Sequence, residues 1–302
     1  MTFAHFMDLA LYHPELGYYR RDTARVGYGA GTDFYTASTS GAVFGEMVTA
    51  ACVTLLGGEA TASTHTFVEL GAEPVGSVLA GVKHPFAAAR TVRVGEQMEI
   101  NGRCVVFSNE LFDAQPLRRF VRRGDGWREL GVELSDAGLR EVELAASTEQ
   151  WLPADAPEGY IFDAPRAAAN MASAIASQPW TGLFVAFDYG KAYAELASET
   201  PIGTARAYFK HTQSNDLLAQ PGEQDLTGHV CWDWLQSALT DGGFANAMTE
   251  SQEAFFIRHA GEFLSMTMAA EASRLSQRKL ALMQLLHPSH LGQKFQVLHA
   301  RR

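Results

Sequence analysis

Phe67-Val68-Glu69-Leu70-Gly71-Ala72-Glu73-Pro74-Val75-Gly76 is the stretch on which the reading of this chain turns. A short apolar run ends in an acid and a glycine, and Ser77 to Val82 continues with a helix-like pattern. This is the form of a buried parallel strand that opens, at its carboxyl end, into a nucleotide-binding turn. The glycine pattern of such a turn is half present, because Gly71 and Gly76 bracket Glu73-Pro74.

Further strands follow outward from this one. Thr91 to Val94 is a second, ending near Gly95-Glu96. Arg103 to Phe107 is a third and leads into Ser108-Asn109-Glu110-Leu111-Phe112-Asp113-Ala114. Gly182 to Phe187 delivers Asp188-Tyr189-Gly190, and Phe295 to Leu298 closes the chain. Helical spacing is read at Phe6 to Leu11 (broken at His13-Pro14), Gly41 to Leu56, Pro165 to Ser177, Trp232 to Leu239 and, as one long helix, Glu262 to Leu286. Gly243 to Ile257 reads as a strand pair or as a strand and a helix.

Leu117 to Leu144 alternates apolar and polar residues around Gly124-Asp125-Gly126 and Asp136-Ala137-Gly138, which predicts a β-rich excursion. Thr200 to Thr227 reads as loop. Strands alternating with helices predict an α/β fold with a mostly parallel sheet, and in such sheets the ligand lies outside the carboxyl ends of the strands. We expect one domain over 1–302, with an N-terminal cap over about 1–56 and insertions over about 115–160 and 191–230.

The 302 residues are 47% hydrophobic and 19% charged, enough to bury a sizeable core. A net charge of -10 argues against a nucleic-acid backbone as the main partner. Arg118, Arg119, Arg122 and Arg123 read as the outward positions of one element rather than a binding patch. No apolar run is long enough to span a bilayer, and the N-terminus lacks the pattern of a signal peptide, so a cytoplasmic location is expected. Cys52, Cys104 and Cys231 are far apart in apolar surroundings and read as buried thiols. The ten histidines are scattered; neither Asp225 with His229 nor His287 with His290 makes a metal-binding pattern, and no metal is expected.

Three strand ends carry polar groups: Glu69-Leu70-Gly71, Ser108-Asn109-Glu110 and Asp188-Tyr189-Gly190. Arg25 to Ser40, rich in Gly, Thr and Ser and carrying Asp33 and Thr36, has the length of a functional loop. Tyr18 and Tyr19 read either as core aromatics or as a wall of the site.

In these residues the chain resembles the MidA-type (DUF185) methyltransferases, which include the mitochondrial complex I assembly factor that methylates a protein arginine. The resemblance is carried by Ala10 to Tyr19, Asp33-Phe34-Tyr35-Thr36, Phe44-Gly45-Glu46, Val68 to Gly71 and Asn109 to Pro116. It continues through Asp188-Tyr189-Gly190, Gly203 to Arg206 with His211, Pro221 to Val230 and Gly292 to Leu298. These segments appear in family order. The chain departs from the family at Glu73-Pro74, where a Gly-x-Gly-type turn is usual. It departs again at Gly95 to Gly102, where the second strand runs almost directly into the third and a helix is shortened or missing.

The resemblance implies a Rossmann-like class I methyltransferase sheet with helices on both faces, and S-adenosylmethionine (SAM) as the methyl donor. It implies donor contacts from Glu69, Gly71, Gly76, Asp33, Thr36 and Asn109, and catalytic roles for Asn109, Glu110 and Asp188. Glu110 is the first candidate to hold a guanidinium, with Asp113 or Asp188 next, because a planar fork needs a carboxylate opposite it. Two other roles are open at this point: Glu69 as the charge partner of a helix N-terminus, and Asp113 as a helix cap. The implied acceptor is a protein side chain. The alternative is a non-catalytic binding or assembly module on the same fold. A hydrolase or dinucleotide dehydrogenase fits less well, since the chain has no nucleophile elbow and no complete dinucleotide fingerprint.

Overall fold

The computed structural model describes residues 1–21, 42–72, 76–272 and 276–302. Asp33 and Thr36, the long Arg25 to Ser40 segment and Glu73-Pro74 lie outside them. After helices α1 (Phe3–Tyr12), α2 (Ala42–Leu56) and the single turn α3 (Glu59–Ala62) come strands β1 (Thr66–Leu70), β2 (Ala88–Val92) and β3 (Gly102–Asn109). An antiparallel excursion follows, made of β4 (Arg118–Arg123), β5 (Gly126–Ser135), β6 (Gly138–Ser147) and β7 (Ile161–Ala164), in the order β6-β5-β4-β7. The chain then returns through α4 (Arg166–Ala176) to β8 (Trp180–Asp188).

The small elements β9 (Gly190–Lys191), α5 (Tyr193–Ser198), β10 (Arg206–Phe209), β11 (Thr212–Ser214), β12 (Asp225–Thr227) and β13 (Val230–Cys231) come next. The chain ends with α6 (Trp232–Asp241), β14 (Ala245–Ser251), α7 (Gln252–His259), α8 (Gly261–Ala270), α9 (Gln277–Leu286) and β15 (Gln296–Arg301).

The main sheet has the order β14-β15-β8-β3-β1-β2. β2, β1, β3 and β8 are parallel, while β15 runs antiparallel to both β8 and β14. Alternation along each strand sorts its side chains between two cores, as the two-residue period of a strand requires. Val105 and Phe107 of β3, with Leu183, Val185 and Phe187 of β8, face α2, α7, α8 and α9. Cys104 and Val106, with Phe184 and Ala186, face α4 and α6. The centre of the first core is Phe44 of α2, fully buried and in ring contact with Phe107, Phe187 and Phe256. All three cysteines are buried and reduced, as expected.

The α/β sheet with helices on both faces agrees with the sequence reading, and four details correct it. Ser77 to Val82 forms turns rather than a helix. The expected single helix over Glu262 to Leu286 is two helices, α8 and α9. Thr200 to Thr227 is not loop throughout: β10, β11 and β12 form a three-stranded sheet there, and every residue of β12 is buried. β2 begins three residues earlier than the second strand was placed. Residues 93–101 connect β2 and β3 without a helix, in keeping with the sequence reading of a short connection.

The arginines of β4 serve the excursion itself, Arg122 by lying over the Trp127 ring and the other three through ion pairs. Arg118 pairs with Glu129 and Glu149, Arg119 with Asp163 and Glu141, and Arg123 with Glu143 and Glu158. Helix α1 packs against this sheet and β12 through Phe3, Phe6, Met7 and Leu11, and the Met1 ammonium donates to the Val132 carbonyl at 2.9 Å. The N-terminal segment is thereby fixed beside the carboxyl ends of the main strands.

Candidate active site

The ends of three parallel strands meet side by side. Leu70 pairs with Ser108 and Asn109 with Phe187, so Gly71, Glu110 and Asp188 emerge from neighbouring strands. Glu110 has φ 51°, left-handed for a residue with a side chain, and its N–H donates to the Phe187 carbonyl at 2.9 Å. That conformation costs roughly 1–2 kcal/mol and is the kind of strain that persists where the surroundings enforce it.

Here the enforcing group is Asp188. Its Oδ2 accepts from the N–H groups of Phe112 (2.9 Å) and Asp113 (3.3 Å), and its Oδ1 from the N–H of Tyr189 (2.9 Å). Asp188 is fully buried, and burial together with the charge of Asp113 pushes its carboxyl well above the usual range. Its place is therefore beneath the loop, holding Glu110 to Asp113 in position.

Asp113 is also buried, accepts a hydrogen bond from the Tyr189 hydroxyl, and is pushed up to about 6 mainly by burial. Among the described residues its Oδ1 has no partner, and neither have Asn109 Oδ1 and Ser108 Oγ beside it. Asn109 Nδ2 donates to Glu110 Oε1 at 3.0 Å. Buried polar atoms left without protein partners are rare in folded proteins, and three at one set of strand ends single this place out as the candidate site.

The N-terminal segment supplies the facing wall. The Tyr19 hydroxyl donates to Asp225 Oδ1 at 2.9 Å, the Tyr12 hydroxyl donates to the Ala114 carbonyl at 3.0 Å, and the two rings stack at 5.6 Å. Tyr189, which accepts from the Thr227 hydroxyl, stands edge-on to His229 at 5.8 Å. Burial lowers His229 to about 4, so it is neutral at physiological pH. Tyr208 lies within electrostatic range of Asp113, Asp225 and Glu110. Four carboxylates and four tyrosines thus converge, a constellation suited to a cation with several N–H donors.

The opposite side, at β1 and β2, is more closed. Both oxygens of the Glu69 carboxylate are taken up by the following turn: Ser77 Oγ donates at 2.6 Å, and Val78 N–H donates at 2.9 and 3.1 Å. Glu69 thus holds the local backbone of a turn, not the N-terminus of a helix. Gly71 has φ 73°, its N–H donates to the Val92 carbonyl at 2.9 Å, and a Cβ there would stand 2.9 Å from Leu111 Cδ1. Gly76 is exposed, and no other described residue crowds it.

At the end of β2, Glu96 Oε2 accepts from the Arg93 N–H at 2.8 Å, closing its own turn. Arg20 donates to the Val94 carbonyl at 2.9 Å and crosses directly over Gly95, where a Cβ would meet its guanidinium at 1.7 Å.

The structure therefore brings Asn109, Glu110 and Asp188 together, with Gly71 alongside, and assigns Glu69 to the turn. Asp225 and Tyr12 were not anticipated as site residues. The signal for Asp225 was in the Pro221 to Val230 block, but a reading of that segment as loop concealed that β12 is a buried strand aimed at the site.

A family profile described as "Putative S-adenosyl-L-methionine-dependent methyltransferase" matches residues 87–248, more than half of the chain. The chain belongs to this family. Curated relatives are named "Protein arginine methyltransferase NDUFAF7, mitochondrial". The Xenopus laevis protein is 24% identical over 208 residues, covering 65% of this chain and 45% of its own length. The Danio rerio protein is 24% identical over 368 residues, covering 98% of this chain and 82% of its own length. The chain thus spans about half the length of the frog protein and most of the zebrafish one.

Among solved structures, a COG1565 superfamily member from Burkholderia thailandensis bound to S-adenosyl-homocysteine superposes with a TM-score of 0.84 at 22% identity. The match covers 100% of this chain and 88% of that one. This likeness establishes the fold, a methyltransferase-type α/β sheet. Ser108 Oγ and Asn109 Oδ1, buried beside the Gly71 turn and without partners among the described residues, fit a ligand carrying ammonium or hydroxyl donors, as the family's SAM does.

Proposed function

We propose that this chain is a SAM-dependent methyltransferase whose acceptor is the guanidinium of a protein arginine. The observation that carries the reading is the convergence of Glu110, Asp113, Asp188 and Asp225 with Tyr12, Tyr19, Tyr189 and Tyr208 at the carboxyl ends of β3 and β8. The naming of the NDUFAF7 relatives as protein arginine methyltransferases supports it.

Bound SAM supplies a sulfonium methyl group open to in-line displacement, so the protein's contribution is position and exclusion of water. Ser108 and Asn109 face the donor side. Glu110 and Asp113 hold the acceptor's planar fork so that one nitrogen points at the methyl, and Asp188 fixes the loop from which both project. The tyrosine wall shields the cation from water. The acceptor nitrogen must give up a proton, and Asp113, held near 6, is the carboxylate suited to take it.

The test pairs calorimetry using SAM and S-adenosyl-homocysteine with transfer of a labelled methyl group to arginine-rich peptides. We expect donor binding, and labelling that is lost in Glu110→Gln. No heat and no thermal shift at millimolar donor would overturn the proposal. A second reading, a non-catalytic binding module, is favoured by Arg20 lying over the end of β2 and by the lack of a helix, among the described residues, directly after β1 and β2. It predicts that the chain captures a basic peptide with no donor present and never labels it.

A further inference from the structure

At the far edge of the main sheet, three side chains from three elements converge: Glu250 of β14, His259 at the end of α7 and His299 of β15. Glu250 Oε1 stands 3.0 Å from His299 Nε2 and 3.2 Å from His259 Nε2, and the three ligand atoms lie within 4.8 Å of one another. The imidazole centroids are 5.3 Å apart with the rings at 73°, so both nitrogens can be directed at one point without stacking. The side chains of Glu250, His259 and His299 are only 6%, 13% and 9% exposed. Arg258 occupies the other oxygen, Glu250 Oε2, at 2.5 Å, leaving Oε1 as a single donor.

Two imidazoles and one carboxylate oxygen are the ligand set of a three-protein-ligand zinc centre, with donors about 2.0–2.2 Å from the ion. Donors at that radius on a tetrahedron are about 3.3 Å from each other, close to both oxygen–nitrogen separations here. We propose that Glu250, His259 and His299 bind one Zn(II), with a fourth position left to water. The chemistry of the groups agrees. Burial lowers His299, so its ring is neutral and can take the tautomer whose Nε2 carries the lone pair once an ion replaces the hydrogen bond to Glu250. Burial works to raise Glu250, but hydrogen bonds from His299 and His259 and the Arg258 charge outweigh it and keep the carboxylate ionised.

The ion would join β14, β15 and α7. Phe255 and Phe256 of α7 pack against Phe187, one residue before Asp188, so the site would brace the outer half of the sheet that carries the loop-holding carboxylate. The same three residues would also hold together as a hydrogen-bonded cluster with no metal, and the two arrangements differ in what they do with zinc.

The experiment uses the tag-free 302-residue chain, stripped with EDTA and titrated with Zn(II) against a chromophoric chelator. Co(II) serves as a spectroscopic probe of coordination. We expect one ion per chain, visible cobalt absorption of low-coordinate type, a higher melting temperature with zinc, and loss of the ion in acid. His259→Gln and His299→Gln can still donate a hydrogen bond to Glu250, so the cluster survives in them while the metal ligand does not. Each should weaken zinc binding by more than about a hundredfold, beyond the range seen for supporting residues. Equal zinc binding in the wild type and both variants, or none in the wild type, would overturn the proposal. If either variant fails to fold in EDTA, Glu250→Gln is read by the same titration, with circular dichroism as the check on folding.

Discussion

Burial makes Asp113 keep its proton to higher pH than a free carboxyl, which suits it to accept one, and the two effects pull stability and activity in opposite directions. Its folded value is raised from 3.8 to about 6. Because the folded state binds this proton more tightly than the unfolded chain, the stabilisation is complete below about pH 4 and is lost as pH rises through about 6. A difference of that size is worth on the order of 3 kcal/mol. Asp113→Asn should therefore match the wild type in acid and exceed it in chemical denaturation at pH 8, while methyl transfer falls at least a hundredfold. If this variant proved no more stable than the wild type at pH 8, the buried charge would carry no such cost. Methyl transfer by the wild type should rise with pH through the same window.

Glu110 offers the converse case. Glu110→Gly removes the left-handed strain and should unfold at slightly higher denaturant, by about 1 kcal/mol, yet lose binding of arginine peptides. If it kept its peptide affinity, the Glu110 carboxylate would not be an acceptor contact.

At the scale of elements, what could be read from the sequence depended on how local its cause was. β1, β3 and β8 were legible because a strand buried on both faces must be a continuous apolar run, and each ends in polar residues that have no place in a core. The hairpins of β4 to β6 were legible because their turns carry glycine at fixed offsets. β12 was not, since three residues flanked by Pro-Gly and Gly-His carry too little pattern to distinguish a strand from a loop. Ser77 to Val82 was misread because its apolar spacing fits a helix, whereas Gly81 takes φ 72° and the backbone closes in successive turns, Ala80 N–H to the Ser77 carbonyl and Val82 N–H to the Leu79 carbonyl. The proximity of Asn109, Glu110 and Asp188 was legible because they lie at the ends of neighbouring strands. Asp225 and Tyr12 reach the site only through tertiary packing that no local pattern encodes.

The shortened β2–β3 connection also leaves the end of β2 to Arg20, a residue contributed from far along the chain. A donor lying against β2 must displace that guanidinium from the Val94 carbonyl. A hydrogen bond of this kind is worth about 1 kcal/mol, so Arg20→Ala should tighten S-adenosyl-homocysteine about fivefold by calorimetry. Weaker binding in that variant would instead make Arg20 part of the donor site.

Over the whole molecule, the N-terminal segment and the small β10–β12 sheet close over the strand ends from one side, while the β-rich excursion anchors both. Acidic side chains gather where these parts meet, on a chain whose net charge is already -10. Fields of that sign draw a basic segment toward the site and orient it before contact, an effect that salt screens over a Debye length of about 10 Å at 0.1 M. Binding of an arginine-rich peptide should therefore weaken steeply between about 50 and 500 mM salt, mostly through a slower association rate measured by stopped flow. Asp225→Asn should lower that rate modestly and raise the dissociation rate more, because the carboxylate is both part of the field and, through Tyr19, part of the wall. A lysine-rich peptide of equal charge should share the salt dependence of association but dissociate faster, since an ammonium cannot span Glu110 and Asp113 as a planar fork does. Equal dissociation rates for the two peptides would show that the molecule selects charge alone, and the guanidinium assignment would fail while the acidic site stood.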